Sequence, residues 1–295
     1  MVTPPDNAPL YRSPEGYQQV VAQYDAAFQA MGIPFENRYV ETAQGPTHAV
    51  ICGNEAGKPV VLWHGQNANA ASWAHWIPSL ARSFRIHAID VIGGMGKSAP
   101  SRPSKKGMAY GEWAAEALAA LGLDRATMIG ASQGGWLIGK LASTAPDRVG
   151  CAVLMSSAGF LPVSLSSALR LVPKVLFKPT EQAAREMLAA VSAPGVPEDS
   201  FFLELFELML RHFRSEALAP VLSDRELQGL VAPTYLLMGQ YESSFDPYKA
   251  LARGLESLPN LIAAEVVPGV GHAMLHTEPD WVIGRVVRFL DRYAV

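Results

Sequence analysis

Ala126-Thr127-Met128-Ile129 runs into Gly130-Ala131-Ser132-Gln133-Gly134, and Gly135-Trp136-Leu137-Ile138-Gly139-Lys140-Leu141 follows. An apolar run, a glycine-flanked serine and a second apolar stretch read as strand, sharp turn and helix. A serine on such a turn is held at a strained backbone position with its hydroxyl exposed above a sheet, and the glycines let strand and helix pack closely beneath it. The chain has 25 glycines, so the G-x-S-x-G pattern alone has low specificity. An ordinary turn with an inert serine satisfies it equally, and the surrounding sequence has to decide.

Upstream, Ser13-Pro14-Glu15 reads as a capped helix start leading to about Gly32. Strands are expected at Phe35 to Glu41, His48 to Cys52, Pro59 to Trp63 and Arg85 to Ile92, and helices around Ala70 to Leu80 and Tyr110 to Leu121. Downstream of the serine turn, Cys151 to Ser156 reads as a strand. The alternation of strand and helix then stops, and from Phe160 to about Leu222 there are only helical patterns broken by Pro173, Pro179, Pro194, Pro197 and Pro220. It resumes with a strand at Thr234 to Met238, a helix from Asp246 to Ser257, a strand at Ile262 to Val267 and an amphipathic helix at Pro279 to Tyr293. Such alternation implies βαβ units on a mostly parallel sheet flanked by helices, an α/β fold. The expected organisation is a core over residues 1–158 and 224–295, interrupted by a helical cap over 159–223.

Composition narrows the function. A chain of 295 residues, 49% apolar, can bury a sizeable core. A net charge of −3 with scattered Lys and Arg leaves no electrostatic footprint for nucleic acid or an anionic membrane. Cys52 and Cys151 lie in apolar runs without metal-ligand spacing and are expected to be buried free thiols, and no metal site is expected. His272 and His276 stand four apart, but no third ligand accompanies them. The stretch from Met1 to Asn7 has no basic segment leading into an apolar one, and no apolar run reaches membrane-spanning length, so the default compartment is the cytoplasm. Nothing in the chain specifies an oligomeric state.

A serine hydroxyl needs a base, an acid to orient that base, and donors for an oxyanion. His272 stands in the glycine-rich loop Val267-Pro268-Gly269-Val270-Gly271-His272, directly after the last expected strand, where a parallel sheet presents its site. Glu242 is the first carboxylate past the strand ending at Met238. Asp246 is its rival, although Asp246-Pro247 also reads as a helix N-cap. The oxyanion donors would be the backbone N–H of Gln133 and that of Gln66 in His64-Gly65-Gln66-Asn67. His64 either locks that loop by hydrogen bonding or is simply packed at the strand end.

Ser132, Glu242 and His272 in that order, with His64-Gly65 upstream, resemble the α/β-hydrolase superfamily over nearly the whole chain outside the cap. The stretch Asp90-Val91-Ile92-Gly93-Gly94-Met95-Gly96-Lys97-Ser98 is similar to that family's turn after its fourth strand. The resemblance implies acyl transfer by serine, without cofactor or metal. It disfavours epoxide hydrolysis and dehalogenation, because relatives with those activities carry aspartate where Ser132 stands. Two nucleotide-site patterns overlap the same turn and fail. Gly94-Met95-Gly96-Lys97-Ser98-Ala99 fits G-x-G-x-x-A, but Pro100 and Pro103 exclude the helix it requires, and the first P-loop glycine would have to be Val91.

Between Phe201 and Phe213, Glu204, Glu207 and Arg211 form a narrow polar stripe and the rest is apolar. Most of that arc is accounted for by helix packing. Part of it, with Phe206, is expected to roof a pocket together with Trp73, Trp136, Phe160 and Met274. No charge flanks the serine or histidine loops closely, so the expected partner is a small, neutral, apolar ester and the expected activity that of a serine carboxylesterase. A C–C bond hydrolase and a cofactor-free perhydrolase are the alternatives within enzymes; a non-catalytic ligand-sensing or interaction scaffold is the alternative outside them.

Overall fold

The computed structural model describes residues 2–164, 180–277 and 279–295. Its centre is an eight-stranded sheet in the order β1-β2-β4-β3-β5-β6-β7-β8. The strands are β1 (Phe35–Val40), β2 (Thr47–Gly53), β3 (Pro59–Trp63), β4 (Arg85–Ile89), β5 (Ala126–Ala131), β6 (Val149–Met155), β7 (Thr234–Tyr241) and β8 (Leu261–Gly271). β1 and β2 run antiparallel at one edge, and from β4 across to β8 every pairing is parallel. The parallel strands read as unbroken apolar runs because both faces are covered.

Side-chain alternation shows this residue by residue. Val61, Trp63, Met128, Leu236 and Met238 join one core cluster, under α3 (Ala109–Ala120), α4 (Gln133–Thr144), α7 (Asp224–Gln228) and α8 (Pro247–Ser257). Val60, Leu62, Ile129, Tyr235 and Leu237 join the other, against α1 (Pro14–Ala30), α2 (Ile77–Leu80), the short α9 (Met274–Thr277) and α10 (Pro279–Tyr293). Cys52 and Cys151 are buried free thiols, pushed up by burial to about 11 and about 12 respectively.

The expected helix over Ala70 to Leu80 is two pieces, a 3-10 turn at Ala70–Trp73 and the four-residue α2. Pro78 explains the break, since in one continuous helix it could not donate to the carbonyl four residues earlier and its ring would clash there. β7 and β8 are both longer than the sequence indicates, reaching Tyr241 and Gly271.

Between β6 and β7 the chain leaves the sheet. This insertion contains α5 (Thr180–Val191) and α6 (Ser200–His212); Pro173 and Pro179 lie outside the described residues. α6 buries Leu205, Leu208 and Met209 against Leu10, Tyr11, Val20 and Phe213. The segment before α1 clasps the end of α6. Tyr11 bridges to Phe213, Arg12 N–H donates to the His212 carbonyl at 2.8 Å, and Arg214 N–H donates to that of Leu10 at 2.9 Å. The Arg12 guanidinium adds a bond to the Leu210 carbonyl at 2.9 Å. The apolar arc of this helix is thus covered partly by the amino-terminal segment and partly by α5.

Candidate active site

Ser132 occupies the tip of the turn between β5 and α4 with φ 51° and ψ −113°, a left-handed backbone that a non-glycine residue adopts only at a cost. Surrounding bonds hold it there: its N–H donates to the Met155 carbonyl at 2.9 Å, and its carbonyl accepts from Ala158 at 3.0 Å. At Gly134 any Cβ would lie 2.0 Å from the Trp63 carbonyl oxygen, so only glycine lets α4 start this close to β3.

The lengthened ends of β7 and β8 deliver the other two groups. Glu242 directly follows β7 and His272 directly follows β8. A Cβ at Gly239 would come within 2.3 Å of the Gly271 carbonyl oxygen, and this close approach of the strand ends brings acid and imidazole together. His272 Nδ1 lies 2.8 and 2.7 Å from the Glu242 Oε1 and Oε2 oxygens, and its Nε2 lies 3.1 Å from Ser132 Oγ. With Nδ1–H donating to the carboxylate, Nε2 is left as the acceptor facing the serine.

The Glu242 side chain is fully enclosed. It accepts from Ser244 N–H at 2.8 Å, and the nearby Ser156 hydroxyl favours its charged form. Burial works against its charge, yet the His272 charge and hydrogen bond outweigh burial and hold the carboxyl below its ordinary value. Burial likewise opposes the imidazolium of His272, but Glu242 outweighs it and the ring is raised above its ordinary value. Asp246 takes no part in this cluster. Its carboxylate caps α8, accepting from the N–H groups of Tyr248 and Lys249 at 2.9 and 3.1 Å.

Gln133 is the first residue of α4. The loop after β3 runs alongside, since a Cβ at Gly65 would sit 3.5 Å from Ser132 Cβ. His64 is hydrogen-bonded rather than merely packed: Nδ1 donates to the Gly65 carbonyl at 2.8 Å, and Nε2 accepts from Val91 N–H at 2.9 Å. Burial lowers its pKa, consistent with a neutral ring of that tautomer.

The five residues expected to share a pocket are spread over three apolar clusters. Trp73 and Met274 lie in the cluster beneath α1 and α10, Trp136 and Phe160 in the opposite one, and Phe206 packs beside the clasp of α6. The first four are at most 1% exposed and pack as core: the rings of Trp73, Trp136 and Phe160 carry a large apolar area that gains from complete burial, and the flexible Met274 thioether fills space in the same cluster as Trp73. Among the described residues, no group of three or more His, Cys, Asp or Glu is placed to hold a metal ion, and the His276 side chain lies outside them. No described helix is long and apolar enough to cross a membrane.

Two polar residues escaped sequence reasoning. Ser156, with φ 39°, follows β6 and supports Glu242; a small polar residue ending the strand beside the serine strand was the available signal. Asp90, wholly buried after β4, organises the turn that carries the two nucleotide-like patterns. It accepts from Ala70 N–H at 2.9 Å and Lys97 N–H at 3.0 Å and pairs with His48 at 2.9 Å.

The family described as alpha/beta hydrolase fold matches residues 58–216, more than half the chain. The chain belongs to the alpha/beta hydrolase fold family. Carboxylesterase YbfK of Bacillus subtilis (strain 168) is 29% identical over 286 residues, 90% of this chain and 92% of that protein. The crystal structure of carboxylesterase CesB (YbfK) from Bacillus subtilis superposes with a TM-score of 0.82 at 25% identity, covering 94% of this hydrolase-fold chain and 98% of that one. Naproxen esterase (carboxylesterase NP) from Bacillus subtilis gives 0.81 at 25% identity, over 92% and 97% of the two chains.

Proposed function

We propose that this protein is a serine carboxylesterase acting on small, neutral, apolar esters, with Ser132 as nucleophile, His272 as base and Glu242 as the orienting acid. The observation that carries the reading is the continuous relay from Glu242 through both nitrogens of His272 to Ser132 Oγ, with the 3.1 Å gap at the serine. Similarity to two carboxylesterases along almost their whole length supports it.

In this mechanism His272 Nε2 takes the Ser132 proton as Oγ bonds to the ester carbonyl carbon. The carbonyl oxygen becomes an oxyanion that accepts from the backbone N–H groups of Gln66 and Gln133. As the tetrahedral intermediate collapses, the bond to the alkoxy oxygen breaks and His272 returns the proton to the departing alcohol. Water, deprotonated by the same imidazole, attacks the acyl carbon; the bond to Ser132 Oγ then breaks, His272 returns the proton to Oγ, and the acid is released. The insertion over 159–223 acts as a cap, a role supported by its contacts with both flanking loops: Ala273 N–H donates to the Val191 carbonyl at 2.9 Å, and Gln66 bonds to residues 216 and 217.

A fluorophosphonate probe tests the nucleophile. It should label the wild type and not Ser132→Ala, and ester turnover in that variant should fall by about 10⁴ or more. Labelling that persists in the alanine variant removes Ser132 from the mechanism. A panel of p-nitrophenyl esters of graded acyl length, run beside vinylogous diketone ring-cleavage products, should show turnover confined to the esters.

A further inference from the structure

We infer that the side chain of Gln66 is a positioning residue that ties the insertion to the loop bearing the proposed oxyanion donor; this rests on the reading of Ser132 and Gln66 given above. The loop from His64 to Asn69 is pinned at both ends to the turn after β4. At its start, His64 Nε2 accepts from Val91 N–H at 2.9 Å; at its end, Asn69 Nδ2 donates to the Met95 carbonyl at 3.1 Å and Ala70 N–H donates to Asp90 Oδ1 at 2.9 Å. The middle of the loop passes Ser132 at Gly65. There the Gln66 amide reaches away from the core, and Nε2 donates to the carbonyls of Glu216 at 2.9 Å and Ala217 at 3.1 Å.

Both acceptors are main-chain oxygens in the irregular stretch after α6. They demand a donor, and a flipped amide would press its own oxygen against two carbonyls. Lys105 grips the same stretch, bonding to Glu216 Oε1 at 2.8 Å and to the Ala217 carbonyl. The insertion therefore sits one side chain away from the N–H proposed to bind the oxyanion. Movement of residues 216 and 217 displaces that N–H, and transition-state stabilisation of this kind is steep in donor position. Seating the insertion and setting the donor are one event.

The test compares wild type, Gln66→Leu and Gln66→Glu. Each variant keeps the backbone N–H, and the glutamate nearly preserves shape while losing the donor. Steady-state kinetics on p-nitrophenyl butyrate should show kcat lowered about 10- to 100-fold with KM changed less than about threefold. Affinity for a trifluoromethyl ketone, whose hemiketal oxyanion uses the same donors, should fall by the same factor as kcat/KM. Lys105→Met should give a smaller fall of the same kind, and its combination with Gln66→Leu should lose less than the product of the two, since they share Ala217. Variants that keep wild-type kcat and ketone affinity, or lose only melting temperature, reduce Gln66 to a structural staple and overturn the inference. If a Gln66 variant does not fold, Lys105→Met alone decides by the same two readouts. A wild type that neither hydrolyses the ester nor binds the ketone overturns the reading of the site itself.

Discussion

Two histidine–carboxylate pairs stand among the described residues, and they are built almost alike. His272 Nδ1 meets Glu242 at 2.7–2.8 Å, and His48 Nδ1 meets Asp90 at 2.9 Å. The difference lies at the far nitrogen. His272 Nε2 faces a serine hydroxyl on a strained turn, whereas His48 Nε2 is 2.9 Å from Asn37 Oδ1, and both side chains of that pair are completely enclosed. One imidazole faces a group that can lose a proton to it; the other is enclosed between Asp90 and Asn37 and holds β1, β2 and the turn after β4 together. A histidine–carboxylate pair is thus a means of fixing a ring, and what the ring's second nitrogen touches decides whether the result is chemistry or architecture.

Substitutions of the two acids should separate the pairs by what they damage. The largest effect belongs to Glu242→Gln, which should lower kcat by about 10²–10⁴ with the fold intact. Its pH profile carries a signature. The proposed mechanism needs neutral His272, whose pKa is raised by Glu242 against the effect of burial, so wild-type activity should fall on acidification through a value above the ordinary imidazole range. In the glutamine variant burial acts unopposed, and the acid limb should move to lower pH. An unmoved limb breaks the assignment.

Asp90→Asn should instead cost stability, about 3–5 kcal/mol by urea unfolding, because it leaves one side of a buried pair unmatched and turns an amide N–H toward a backbone donor. Burial opposes the Asp90 charge, but His48 and the Ala70 N–H among others outweigh it and hold the carboxyl below its ordinary value. Its contribution is therefore complete above the ordinary carboxylate pKa and lost as pH falls through the depressed value. The asparagine variant should lack that part of the acid sensitivity. Turnover per folded molecule that drops as far as in Glu242→Gln would erase the distinction between the pairs. The smallest effect is expected at Asp246→Ala, the acid that belongs to neither pair: about 1 kcal/mol from loss of the α8 cap, with esterase activity unchanged.

The serine turn, its histidine and its acid are legible because each follows a strand and stands in a loop with few rivals. Asp246 could be set aside on local grounds, since Asp-Pro at a helix start is a cap whatever the rest of the chain does. What stayed hidden depends on partners far along the chain. Gly239, Pro268, Gly269 and Gly271 look like turn residues, yet they lie in β7 and β8 because the two strands support each other across seven register positions. Trp136 and Phe160 have the composition of a pocket wall and also that of a core, and only packing distinguishes the two. Asp90 and the Gln66 amide act through main-chain groups, which carry no residue signature at the receiving end.

The clasp at Tyr11 and Arg12 also bears on the order in which the molecule is assembled. Arg12 bonds to a carbonyl 198 residues later in the chain. At about 5–20 residues per second of synthesis, roughly 10–40 s pass before that partner exists. Through that interval Leu10 and Tyr11 must remain without their native cover while β1 to β6 are made. This stretch is consequently locked only after six of the eight strands have been made, and a ribosome stalled within the insertion before Leu210 would hold a nascent chain with these side chains still open to chaperones.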